Sequence, residues 1–216
     1  LKRTNYTTWY FHSDGDANSA AGCGNLSTVR PNKETPDQFT YNPMFPVPTK
    51  GGCNCCDPHI IPWGSYDQRE VEARSDVLVY TSEELDKPVE VTGPITVKLF
   101  ASTDCLDTDF TAKLVDVYPD GRALNLCDGI VRARYRNSTA KLELLEPNKI
   151  YEFNIDLWPT SNVFKAGHKI RVDISSSNFP RFDRNTNTGN NINRDSDLKI
   201  ANQTVYHEPE MLSQII

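Results

Sequence analysis

Ile95-Thr96-Val97-Lys98-Leu99-Phe100-Ala101 is the stretch whose pattern decides the fold. Ile95, Val97, Leu99 and Ala101 fall on one side of an extended chain while Thr96 and Lys98 fall on the other, the mark of a strand with one buried face. The same period recurs outward from it. Phe110, Ala112 and Leu114 alternate with Thr111, Lys113 and Val115. Tyr151, Phe153, Ile155 and Leu157 alternate with Glu152, Asn154 and Asp156, and Ile170, Val172 and Ile174 with Lys169, Arg171 and Asp173. Thr7-Thr8-Trp9-Tyr10-Phe11 and Val77-Leu78-Val79-Tyr80 add shorter runs. Pro119-Asp120-Gly121 supplies turn chemistry before Ala123-Leu124-Asn125-Leu126, and Asp128-Gly129 precedes Ile130-Val131-Arg132-Ala133-Arg134-Tyr135. Only Ser82-Glu83-Glu84-Leu85 and Asp195-Ser196-Asp197-Leu198 suggest helical turns. Many strands of this length, spaced by turns, predict an all-β, antiparallel β-sandwich of jelly-roll type.

The pattern predicts a single domain over residues 1–216. Residues 1–76 give an N-terminal strand and a long loop region, and residues 77–216 give the strand-rich sandwich. Between residues 28 and 64 there is little periodicity, and Pro31, Pro36, Pro43, Pro46, Pro48, Pro58 and Pro62 point to an extended, ordered connection. Loops that long are usually functional or pinned against a partner.

The 216 residues carry 23 Lys+Arg against 29 Asp+Glu, a formal charge of −6. That acidic balance argues against nucleic acid or an anionic membrane as the main partner, since both call for clustered cations. No apolar run approaches the roughly 18 residues of a membrane-spanning helix, and no signal-peptide core follows the N-terminus. With Leu1 first and Gln214-Ile215-Ile216 last, the sequence reads as a piece of something longer. Four Asn-x-Ser/Thr triplets (Asn5, Asn25, Asn137, Asn202) matter only in a eukaryotic secretory setting.

The six cysteines are Cys23, Cys53, Cys55, Cys56, Cys105 and Cys127. Crowding three of them into Cys53-Asn54-Cys55-Cys56 suits a stapling framework poorly, so free thiols are favoured over a disulfide. With Asp57 and His59 the tract offers zinc-type ligands, but so few consecutive residues hardly wrap a tetrahedron, and neither a metal nor a cofactor is expected. Gly64-Ser65-Tyr66-Asp67 lacks the closing glycine and helix of a nucleophile elbow. His12-Ser13-Asp14 holds triad residue types only as sequence neighbours. His59, His168 and His207 have no nucleophile close by and read as surface or hydrogen-bonded imidazoles. Asp104-Cys105-Leu106-Asp107-Thr108-Asp109 could begin a calcium site, yet it lacks an EF-hand's glycine and terminal glutamate, and turn-forming aspartates are the simpler reading. Trp9, Trp63 and Trp158 are the platform candidates if the domain binds sugars, against a core or interface placement.

Longer motifs carry a resemblance. Tyr80-Thr81-Ser82-Glu83-Glu84-Leu85, Val89-Glu90-Val91-Thr92-Gly93-Pro94 and the run from Asp107-Thr108-Asp109-Phe110 to Pro119-Asp120-Gly121-Arg122-Ala123 lead into Leu126-Cys127-Asp128-Gly129-Ile130-Val131-Arg132. Ser161-Asn162-Val163-Phe164, Ala166-Gly167-His168-Lys169-Ile170 and Ser175-Ser176-Ser177-Asn178-Phe179-Pro180-Arg181-Phe182-Asp183-Arg184-Asn185 follow. Upstream lie Pro46-Val47-Pro48-Thr49-Lys50-Gly51-Gly52 and Asp67-Gln68-Arg69-Glu70-Val71-Glu72-Ala73-Arg74. Over nearly the whole chain this resembles the C-terminal domain of the cocaine esterase and X-Pro dipeptidyl-peptidase-like (CocE/NonD) serine hydrolases.

The resemblance implies a galactose-binding-domain-like jelly roll that partners the α/β-hydrolase and helical cap domains of a parent chain. It places the catalytic triad in the hydrolase domain, hence no catalytic residue here. The resemblance further implies that Gly51, Gly52, Cys53, Asn54, Cys55 and Cys56 form a wall of the substrate pocket. Where relatives carry Tyr-Asp-Pro this chain has Tyr41-Asn42-Pro43, and its cysteines replace apolar or small residues after the double glycine. Asp67, Gln68, Arg69, Glu72 and Arg74 are expected to form one charged network. Asn178, Arg181, Asp183, Arg184 and Asn185 are expected to form a turn scaffold. A stand-alone carbohydrate-binding module of jelly-roll type is the alternative. Freed of its hydrolase, the domain is expected to expose an apolar face through which it could form homo-oligomers.

Overall fold

The computed structural model describes residues 4–55 and 57–216. The described residues form twelve strands: β1 Trp9–His12, β2 Asn25–Ser27, β3 Asp37–Tyr41, β4 Leu78–Thr81, β5 Val89–Thr103, β6 Asp109–Val117, β7 Ala123–Arg132, β8 Tyr151–Phe164, β9 Lys169–Ser175, β10 Ala201–Glu208, β11 Met211–Leu212 and β12 Gln214–Ile215. They follow one hydrogen-bonded path, β11-β10-β5-β12-β1-β2-β4-β9-β6-β7, with β3 added to β10 and β8 to β5. The path folds over on itself, so that β8 packs against β6 and β7 with no ladder between them. The pairings are antiparallel except for β2 beside β4.

The alternation seen in the sequence puts the core between these layers. Ile95, Val97, Leu99 and Ala101 are buried, as are Phe153, Ile155 and Leu157 of β8, opposite Phe110, Ala112, Leu114, Val172 and Ile174 of β6 and β9. Phe110 and Phe153 meet across the layers with ring centroids 4.8 Å apart.

Three local expectations are corrected, and Asp128-Gly129 lies inside a single strand, Ala123 to Arg132. Its glycine is there for close approach, because a Cβ on Gly129 would lie 2.0 Å from the Asp156 carbonyl oxygen of β8. Residues 82–85 stay extended, since Ser82 N and Leu85 N donate to Ile170 O and His168 O beside β9. Asp195 does not open a helix; it accepts from Thr186, Thr188 and the Asp197 amide. The loop of residues 28–64 contains β3, in which Asp37, Phe39 and Tyr41 are buried while Gln38 and Thr40 are exposed. The described residues also hold one short α-helix, α1 (Arg69–Glu72), and two 3-10 turns, Ala133–Tyr135 and Ile192–Arg194, none of which the strand pattern indicates.

The outward side chains of β6 and β9 are largely covered: Thr111, Val115, Val117, Asp173 and Ser175 are buried and Lys113 and Arg171 only partly exposed. Residues 47–55 and 57–77 cross them as a strap, whose Val47, Val71 and Val77 form a small apolar cluster with Val79 of β4. Beneath the strap lies a row set by strand register: Lys113 of β6 is directly opposite Asp128 of β7 on one side and Asp173 of β9 on the other.

Candidate functional site

The strap carries a loop closed by two glycines. Gly51 and Gly52 have φ of 72° and 103°, the left-handed region that favours glycine. Gly52 and Gly64 exchange both backbone hydrogen bonds, at 2.7 and 2.9 Å, closing the loop at its neck. A Cβ on Gly51 would lie 2.5 Å from the Gly64 carbonyl oxygen, so that neck admits no side chain. Inside it, Asn54 Nδ2 donates to Gly51 O and Pro62 O. Cys53 and Cys55 are exposed free thiols. Cys56 lies outside the described residues.

Gln68 anchors both arms of this loop. Its amide nitrogen donates to Lys50 O on one arm and Tyr66 O on the other, and to Asn125 Oδ1 in β7. Its amide oxygen accepts from Lys113 Nζ at 2.6 Å. Fully buried, one side chain thus ties the strap to two strands of the sheet. Arg181 completes the base: it donates to Asp128 Oδ1, and its backbone amide donates to Thr49 Oγ1. Asn178 Nδ2 donates to the other Asp128 oxygen at 2.7 Å. The Phe179–Pro180 bond is cis, and Phe179 pairs with the strap through Val47 O and the Thr49 amide.

The remaining strap residues divide into separate pairs. Arg69 grips Asp67 at the surface, holding its carboxyl down at about 2. Arg74 pairs with Asp76 and donates to Phe45 O. Glu72 accepts from Arg171 of β9 at 2.6 Å, and burial, with Asp173 nearby, pushes its carboxyl up despite that partner. Further along, Asn185 Nδ2 donates to both Asp107 and Asp109, Arg184 to Pro43 O, and Arg132 to the Asp183 carbonyl. The Asp104–Asp109 loop has its carboxylates occupied: Asp107 and Asp109 also accept from Arg134 and Arg132, and Asp104 accepts from Asn202. Asn42 accepts from the Met44 amide and so caps its own turn.

A serine, a histidine and an acid do meet elsewhere, in the wrong order for catalysis. Ser13 Oγ donates to Asp37 Oδ1 at 2.7 Å, while His207 Nε2 and Tyr80 OH hold Asp37 Oδ2 at 3.0 and 2.7 Å. A catalytic serine gives its proton to the imidazole, with the acid behind it. Here the acid stands in the middle, and Ser13 Oγ instead caps the turn by accepting from the Gly15 and Asp16 amides. Among the described residues no serine or cysteine side chain is hydrogen-bonded to a histidine. His168 binds Asp116 under the Tyr118 ring, and burial pushes the Cys105 and Cys127 thiols up to about 11 and about 12, away from reactivity.

Comparison with known proteins settles the affiliation. The model of the X-Pro dipeptidyl-peptidase C-terminal non-catalytic domain matches residues 1–216. The chain belongs to that family. Cocaine esterase of Rhodococcus sp. (strain MB1 Bresler) is 48% identical over the whole chain, which spans 38% of that protein. Among solved structures, an aminopeptidase from a marine sediment Thaumarchaeota archaeon superposes with a TM-score of 0.87 at 32% identity, over 98% of this chain and 36% of its own. An α-amino acid ester hydrolase does so with 0.85 at 31% identity, over 97% and 35%. The chain is thus a C-terminal, non-catalytic β-sandwich domain attached, in its relatives, to a larger hydrolase, and no carbohydrate-binding module is among these relatives. Trp63 and Trp158 are exposed on separate elements, while Trp9 packs against the core.

Proposed function

We propose that the domain braces the α/β-hydrolase and helical cap domains of a serine hydrolase that cleaves esters or amides through an acyl-enzyme. The strap lies against those domains, and residues 51–56 form part of the mouth of their substrate pocket. The observation that carries this reading is a loop fixed at both arms by Gln68 with apolar side chains left outside. Ile60, Trp63 and Tyr66 on the strap, Met44 and Phe45 just ahead of it, and Phe179 bonded to it, are all exposed. An exposed apolar set on a rigid base is what a partner domain covers. The test uses the complete hydrolase: Ile60→Asp and Trp63→Ala should loosen the domain contact and lower turnover of p-nitrophenyl esters or Xaa-Pro-arylamides, and Cys53 and Cys55 should react with maleimide more slowly than in the free domain. Unchanged kinetics and equal labelling would contradict the proposal.

A further inference from the structure

The strap covers the Asp128–Lys113–Asp173 row imperfectly. A cavity of ≈ 10 Å³ remains between them, lined by those three residues with Ser175 and Asn178 on the polar side and strap valines above. By that measure it has room for one water molecule. Both carboxylate oxygens of Asp173 are buried and accept no hydrogen bond from another protein group, although Asp173 is 4% exposed. Buried carboxylates in this state are rare, because an unmet acceptor loses its hydration without replacement. Facing it across the ladder, Lys113 uses one ammonium proton, on Gln68, and an ammonium has three. Lys113 and Asp173 make no direct ion pair. The room, the orphan acceptor and the idle donors therefore coincide.

We propose that this cavity binds a single internal water molecule, which accepts from Lys113 Nζ and donates to the Asp173 carboxylate. Water is the favoured occupant over a cation because three cations, Lys113, Arg171 and Arg181, already stand beside at most three carboxylate charges, from Glu72, Asp128 and Asp173. The water joins β6 to β9 beneath the strap, completing the polar layer on which Gln68 sits.

A high-resolution crystal structure of the chain should show one peak about 3 Å from both Asp173 and Lys113. An empty cavity, or Asp173 in direct contact with Lys113, would overturn the assignment. Crystals soaked in rubidium or thallium salt should show no anomalous signal there; a signal would replace water with a cation. In solution, oxygen-17 relaxation dispersion should lose one long-lived water in Asp173→Leu and keep it in Asp173→Asn, whose amide still bonds to water. Equal amplitudes in the wild type and Asp173→Leu would contradict the site, and this readout applies to whichever of the two variants folds.

Discussion

Asp37 and Asp173 are both buried aspartates beside a basic side chain, and they are treated in opposite ways. Burial disfavours the charge of each. At Asp37, donors from His207, Ser13, Tyr80 and the Ala17 amide outweigh it, and its carboxyl is held below the ordinary range. At Asp173 burial wins over Lys113 and Arg171, and its carboxyl is pushed up. The Asp37 knot joins β1, β3, β4 and β10, fixing strands far apart in sequence. The Asp173 row lies under a strap that crosses the sheet from outside. Saturation with donors therefore marks the strand framework, and a polar layer left incomplete by the protein marks the seam along which the loop closed by Gly52 and Gly64 is mounted.

The largest effect expected from this contrast is at the knot. Asp37→Ala strands four donors and should cost about 3–5 kcal/mol in denaturant unfolding, whereas Asp173→Leu should cost at most about 1 kcal/mol, because the desolvation it relieves offsets the charge taken from beside Lys113. Equal losses would break the comparison. Next, Gln68→Ala frees both loop arms and strips Lys113 and Asn125 of a partner; we expect a loss of about 2–3 kcal/mol, with faster hydrogen exchange at the Gly52 and Gly64 amides but not at β5.

The pH dependence should differ in sign. Asp37, with a lowered folded value, contributes stability that is present above the ordinary carboxylate value of about 3.9 and lost as pH falls through its folded value. Asp37→Asn should flatten that acid limb. Glu72 and Asp173, with raised folded values, hold protons that the unfolded chain has released, so their contribution declines as pH rises from the ordinary range through their folded values. Glu72→Gln should flatten the decline in unfolding midpoint on that side, and a steeper one would contradict the assignment. Smallest of all, Arg69→Ala removes a solvent-exposed pair and should leave the midpoint unchanged.

The same two regions show what a sequence can disclose. Alternation within β5, β6, β8 and β9 was legible because each buried face is apolar and continuous. β3 was not, because its inward face begins with Asp37, whose burial depends on His207, which is 170 residues away. The outward residues Lys113, Arg171 and Asp173 read as solvated until the strap is laid over them. Gln68 stood among the charged residues of its own segment, yet its decisive partners, Lys113 and Asn125, are 45 and 57 residues along the chain. Periodicity reports on one strand at a time; cover by a distant segment leaves no local trace. The double glycine was visible in the sequence, and the structure adds the Gly64 backbone that requires it.

The most direct test of the account is turnover by the isolated chain. Incubated with p-nitrophenyl esters and with a fluorophosphonate serine probe, it should show no hydrolysis above background and no labelled serine. Hydrolysis or labelling that disappears in Ser13→Ala would contradict a supporting, non-catalytic domain.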